Sequence, residues 1–242
     1  MTIGLIAGTG ALDLLEQLDE RNIQTRYGLP SSMPARVSLG QSEAWFIARH
    51  GNPHTIPPHR INYRANIDTF RQLGVSRIIA VNAVGSIDPA LAVGSLVLPD
   101  QLIDYTWGRT HSFSDEEGSV LEHIEFGEPF AGPLRLALLQ AAASSDVSIH
   151  DGGCCAVTQG PRLETVAEIR KLATDGCTLV GMTSMPEAAL AREAGLDYAS
   201  LSIVANPAAG IGSEPISLDE IYATLAIAMD QIKLILAQLR AD

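Results

Sequence analysis

Residues able to hold an anion and a polar ring recur in this 242-residue chain at the ends of apolar runs. Gly8-Thr9-Gly10 follows the run Ile3–Ala7 and reads as the opening of a helical pattern. Glycines there let backbone N–H groups turn inward as an anion nest, and Thr9 adds a hydroxyl, although a plain strand-to-helix turn fits the same residues. The spacing is not the dinucleotide fingerprint, since no third glycine follows in register. Arg49-His50 closes the next run, and the planar donor fork of Arg49 suits a phosphate as well as a salt bridge. Asn82-Ala83-Val84-Gly85-Ser86 ends a third run in small residues that either admit a ligand to the backbone or simply turn the chain. Glu164, in Thr158-Gln159-Gly160-Pro161-Arg162-Leu163-Glu164-Thr165, can face a ligand or favour a helix N-terminus. Met182, Thr183 and Glu187, in Gly181–Glu187, and Asn206, before Pro207, complete the set. His50, His54 and His59 have no carboxylate or cysteine at a ligand-like spacing, so no metal is expected.

These groups need strands to place them. Short apolar runs at Ile3–Ala7, Ala44–Ala48, Ile78–Val84, Leu96–Leu98, Ala156–Thr158, Leu179–Met182 and Tyr198–Val204 read as strands. Several are continuously apolar, as expected where both faces are covered. Helical spacing lies between them at Asn62–Leu73, Pro133–Ala143, Leu163–Ala173 and Pro186–Ala194. A last pattern over Ser217–Leu239 places Leu218, Ile221, Leu225, Ala228, Ile232 and Ile235 on one face, with Ser217 as N-cap and Asp219-Glu220 in the first turn. The alternation predicts an α/β fold whose central mixed, largely buried sheet is flanked by helices. No repeat or linker divides it, so one domain over residues 1–242 is expected. Gly51–His59 and Thr106–Gly132 read as irregular loops, which gather at strand ends and carry sites.

Hydrophobic residues are 46% of the chain and charged residues 18%, enough to build a core and too few charges for disorder. A formal net charge of −12 disfavours a nucleic-acid backbone or an anionic membrane as partner. The three cysteines, two of them adjacent, make no disulfide framework and suit a cytoplasmic protein. Residues 1–8 lack a basic stretch before the apolar run, and no apolar run is long enough to span a bilayer.

Taken together, Gly-Thr-Gly, Arg-His-Gly, Asn-Ala-Val-Gly-Ser, Gly-Pro-Arg-Leu-Glu-Thr and Gly-Met-Thr-Ser-Met-Pro-Glu stand in an order that resembles the trimeric purine nucleoside phosphorylases, in particular their methylthioadenosine phosphorylase arm. The similarity is densest over Ala48–Asn66, Ile79–Ser86, Gln101–Asp104, Gly127–Phe130 and Gly181–Gly195. It implies an enzyme that splits a purine nucleoside with inorganic phosphate as co-substrate, no other cofactor, and a homotrimer. By resemblance, Thr9, Arg49, His50, Ala83 and Thr183 are phosphate ligands. Met182 and His123, the latter from a neighbouring subunit, contact the ribose, and Glu187 braces that turn.

At the base pocket the sequence departs from the methylthioadenosine pattern. That arm has aspartates where this chain has Asn206 and Ala208, and a serine where it has Glu164. Asparagine with glutamate resembles the pair in phosphorylases of 6-oxopurines. The chemistry agrees: Glu164 can accept from a ring N1–H, and the Asn206 amide can donate to O6 or N7. Leu163 precedes that glutamate and is expected to line the substrate. Near the last helix no histidine stands where inosine-preferring relatives hold a 5′-hydroxyl. Leu218 and Ile221 would instead form an apolar 5′ pocket, although core packing explains them too. The combination implies a 6-oxopurine nucleoside with a 5′-methylthio group. Methylthioadenosine, inosine or guanosine as substrate, and a nucleoside-binding module without catalysis, are the alternatives.

Overall fold

Strand β1 (Thr2–Ala7) lies parallel to β4 (Ser42–Ala48) on one side and to β5 (Val75–Ser86) on the other, with Leu5 opposite both Phe46 and Ile79. The computed structural model describes residues 2–8, 11, 15–40, 42–115, 118–212 and 218–239. Strand β11 (Asp197–Pro207) runs parallel along the far edge of β5, from Asp197 opposite Arg77 to Pro207 opposite Ser86. The near edge of β5 is shared. Its pairing with β1 stops at Ala80, and β10 (Leu179–Gly181) takes it up in the antiparallel sense only at Gly85 and Ser86. Between them the ladder is open.

Outward from β10 come β9 (Cys154–Val157) and β7 (Gln101–Asp104), both parallel. On the β4 side, β3 (Ala35–Leu39) and β2 (Gln17–Glu20) add antiparallel strands. Strand β6 (Leu96–Leu98) pairs with β11, and β8 (Ile149–Asp151) with β6. The predicted mixed sheet is thus present. Four of its strands were not anticipated: β2, β3, β7 and β8 are short and carry exposed or half-buried polar residues, so no apolar run marks them. The helical pattern expected after Gly10 falls on Thr9, Gly10 and residues 12–14, which lie outside the described residues.

Each face of the sheet has its own cover. Ile3, Leu5 and Ala7 of β1 and Leu201 and Ile203 of β11 pack under α2 (Pro133–Ser144) and α5 (Leu218–Ala237). Ile6, Ile78, Ala80 and Val204 face the other way, against Ile67 and Phe70 of α1 (Tyr63–Gln72) and Leu190 of α4 (Ser184–Glu193). Each such fully buried side chain contributes about 1.5–3 kcal/mol relative to exposure. Helix α3 (Val166–Thr174) covers β9 and β10 through Ile169 and Leu172. It begins three residues later than the pattern from Leu163 suggests. Thr165 caps it and Glu168 closes a capping box, which leaves Glu164 outside the helix. The α5 face is as expected at Ala228, Ile232 and Ile235; Ser217 and the Leu218 side chain lie outside the described residues. No helix among the described residues is long and apolar enough to cross a membrane.

A buried ion pair fills the open stretch of ladder. Arg49, after β4, is 1% exposed and donates from Nε (2.8 Å) and Nη2 (2.9 Å) to both carboxylate oxygens of Glu187 in α4, itself fully buried. Its Nη2 also donates to the Ile6 carbonyl (3.2 Å) and its Nη1 to that of Val81 (2.9 Å), the two backbone oxygens beside the gap between β1 and β10. Burial opposes charge on Arg49, yet the Glu187 carboxylate outweighs it and raises the guanidinium above its ordinary value. Tyr198 donates its hydroxyl to Glu187 at 2.9 Å. Removing one partner strands a buried charge, so Glu187→Ala should lower the unfolding free energy by about 3–5 kcal/mol. Arg36→Ala, which removes exposed pairs with Asp19 and Glu43, should leave the urea midpoint near wild type.

Candidate active site

The carboxyl ends of the parallel strands open onto one cavity of about 490 Å³, the usual place for a ligand in such sheets. Gly8 after β1, Arg49 and His50 after β4, and Val81–Gly85 along the open edge of β5 form one end of it. Ala83 is reached by solvent there. Met182 and Thr183 after β10 form the floor. Thr183 caps α4 in position without a side-chain cap bond; its hydroxyl donates instead to Asn82 Oδ1 at 3.0 Å. The Asn82 amide in turn donates to Ser200 Oγ of β11 at 2.9 Å, so the floor is tied to the centre of the sheet.

His50 is held in one tautomer. Its Nδ1 lies 2.8 Å from the Ile56 carbonyl, which makes Nδ1–H the donor and leaves Nε2 an acceptor. The ring stacks on His54 with centroids 4.4 Å apart. Burial pushes the imidazole down to about 4, the Ile56 carbonyl opposes this, and Arg49 and His54 add to the lowering. Near neutral pH the ring is therefore uncharged. Arg49 is committed as well: Glu187, Ile6 and Val81 take four of its five N–H donors, leaving one Nη1–H to a ligand.

The other end of the cavity carries a different chemistry. Leu163 and half-buried Glu164 come from the turn between β9 and α3, Asn206 and Ala208 from the end of β11, and Ile221, Tyr222 and Leu225 from the first turns of α5. Glu164 Oε1 accepts from the Thr158 hydroxyl at 2.6 Å. Asn206 donates one amide hydrogen to its neighbour's carbonyl, Pro207 O, at 2.7 Å, and a second amide hydrogen remains. Ala208 places no polar atom where a carboxylate could stand. Two glycines make room. A Cβ at Gly85 would lie 3.1 Å from Val180 and 3.5 Å from the Asn206 amide nitrogen, and one at Gly160 (φ +59°) would lie 2.5 Å from the Met182 sulfur.

Of the residues singled out in the sequence, Arg49, His50, Ala83, Leu163, Glu164, Met182, Thr183, Asn206 and Ile221 line this one cavity. Glu187 stands behind Arg49 and does not line it. His123 is exposed on the loop after β7 and does not reach the cavity of its own chain. Thr9 and the Leu218 side chain lie outside the described residues. Glu164 stands directly before the N-cap of α3, and the capping bond there is made by Glu168. Sequence reasoning missed Thr158, Tyr222 and Arg109. Arg109 is 8% exposed and donates to the carbonyls of Met182, Met185, Thr158 and Gln159, stapling the two turns that carry Met182 and Glu164. It lies in a polar irregular loop where an arginine ordinarily meets solvent, and no periodicity marks it.

Known proteins resemble this chain in sequence and fold. The model of the Phosphorylase superfamily matches residues 2–240. A Xylella fastidiosa protein named Probable S-methyl-5'-thioinosine phosphorylase is 53% identical over 231 residues, covering 93% of this chain and 97% of its own length. The 6-oxopurine nucleoside phosphorylase of Pyrococcus furiosus is 42% identical over 242 residues, covering 97% and 91%. Among solved structures, methylthioadenosine phosphorylase from Schistosoma mansoni in complex with adenine superposes with a TM-score of 0.91 at 30% identity, over 99% of this chain and 90% of that one. With likeness running from the first strand through the last helix, and a donor-rich pocket at the strand ends, this chain belongs to the phosphorylase superfamily.

Proposed function

We propose that this enzyme cleaves a 6-oxopurine nucleoside with inorganic phosphate, and that its preferred substrate is S-methyl-5′-thioinosine, giving hypoxanthine and 5-methylthioribose 1-phosphate. The observation that carries the reading is the meeting of Glu164 and Asn206 in one cavity with apolar Ile221 and Leu225. A carboxylate accepts from the N1–H of hypoxanthine, and an amide donates to O6 or N7 as charge gathers there. Adenine would set its unprotonated N1 against that carboxylate. Such a buried mismatch costs about 1–3 kcal/mol. The names of the relatives support both the reaction and the 6-oxopurine.

Phosphate would lie at the end lined by Gly8, His50, Ala83 and Thr183, with one N–H of Arg49. Overall charge of −12 opposes any anion, so local donors must hold it. Because His50 offers an acceptor at Nε2, it suits the P–OH of hydrogen phosphate. The anion would approach C1′ opposite the departing base and stabilise an oxocarbenium-like ribosyl cation, as in glycoside cleavage, with no protein nucleophile. The chain needs no further cofactor in this scheme. The exposed His123 fits a contact to a neighbouring subunit's ribose in a homotrimer, and cytoplasmic purine salvage is the setting such a substrate suits. Tyr222 favours a second reading: its phenol stands beside Ile221 at the cavity and could take a 5′-hydroxyl, as inosine would require.

Turnover of methylthioinosine, methylthioadenosine and inosine at varied phosphate separates these readings. Methylthioinosine should be cleaved fastest, and only with phosphate; faster cleavage of methylthioadenosine sinks the proposal. Asn206→Asp should weaken methylthioinosine turnover at least about tenfold and raise that of methylthioadenosine. For His50, folding excludes a proton that the unfolded chain accepts near 6.5 and the folded chain only near 4. Its contribution to stability is therefore complete above about 6.5 and lost as pH falls toward about 4. Thermal melts across that window should show a shallower loss in His50→Gln.

A further inference from the structure

Glu164 is tethered at one atom. It lies outside α3, whose first turn is served by Thr165 and Glu168, so no helix N–H holds it. Arg162, two residues away, is committed to Glu168 through Nη1 (2.8 Å) and Nη2 (2.7 Å). Among the described residues the hydrogen bond that fixes the Glu164 carboxylate is the one from Thr158 Oγ1 at 2.6 Å. Thr158 is itself rigid: its backbone N–H donates to the Gly181 carbonyl at 2.8 Å, locking the end of β9 to the end of β10. The hydroxyl has one hydrogen, and Gly181 O is a second acceptor at 3.4 Å. The shorter, charge-assisted bond takes it.

We propose that Thr158 is a positioning residue for nucleobase selection: by donating to Oε1 of Glu164, it turns Oε2 toward the ring position where a 6-oxopurine carries hydrogen. This rests on the 6-oxopurine reading above and adds a residue that touches no substrate. A pinned carboxylate helps the right base and opposes the wrong one, because Oε2 cannot swing away from the bare N1 of a 6-aminopurine. Released from Thr158, the carboxylate turns about its terminal bond. The N1–H bond then loses its preset partner, and the clash with a bare N1 is relieved.

The test compares Thr158→Val, which keeps the shape and removes the hydroxyl, with Thr158→Ser, which keeps the hydroxyl. Each is assayed at saturating phosphate with methylthioinosine and methylthioadenosine. In Thr158→Val the KM for methylthioinosine should rise about tenfold with kcat little changed, kcat/KM for methylthioadenosine should not fall, and the ratio of kcat/KM between the two substrates should fall at least about tenfold. Thr158→Ser should keep the wild-type ratio. Should Thr158→Val fail to fold, Thr158→Cys, with its weak S–H donor, carries the same comparison. An equal loss on both substrates, or an unchanged ratio, overturns the role of Thr158 while the 6-oxopurine reading stands. A wild-type enzyme that prefers methylthioadenosine overturns both, and that result is read before any variant is made.

Discussion

The architecture turns on one guanidinium placed where a β-ladder stops. Strand β1 leaves the edge of β5 at Ala80, and β10 returns to it at Gly85, so backbone oxygens beside the gap need donors other than a strand. Arg49 supplies them to Ile6 and Val81 and balances its own charge on Glu187. The gap cannot close without expelling the arginine, and the arginine cannot leave without exposing those carbonyls and a buried carboxylate. The cavity is the space this arrangement keeps open. A residue read from the sequence as suiting a phosphate or a salt bridge thus serves first as part of the sheet, with four of its five N–H donors taken.

The neighbours of that pair follow from it. Neutral His50, the Thr183–Asn82–Ser200 chain and the accessible backbone at Ala83 offer directional hydrogen bonds instead of net positive charge. In an acidic protein this matters: recognition of an anion must come from short-range dipoles, since the long-range field works against it. The opposite end of the cavity differs in construction. Glu164, Asn206 and Ile221 sit on a turn, a strand terminus and a helix start, and the side chains of the first two make hydrogen bonds to near neighbours in sequence.

How legible this was in the sequence depended on the kind of signal. Continuous apolar runs marked β1, β4, β5, β9, β10 and β11, because strands covered on both faces need them. Polar edge strands such as β2, with three of four residues exposed, leave no such mark. Glu164 was picked out with two roles open. The structure gives the capping role to Thr165 and Glu168, whose spacing is that of a capping box and was passed over when the helix was read from Leu163. Arg109 and Thr158 were missed for another reason. Their partners lie about 50 residues away or across a turn, and only the fold brings them together. The Arg49–Glu187 contact spans 138 positions and was legible only as two separate candidates.

The division between the two ends of the cavity bears on how such a protein can change. The end of the cavity that carries Arg49 is woven into the sheet, so altering it endangers the fold. The Glu164 turn and the first turns of α5 lie outside the sheet, so substitutions there leave its ladder intact. Side chains at that outer end can therefore vary while the buried ion pair at the other end stays as it is.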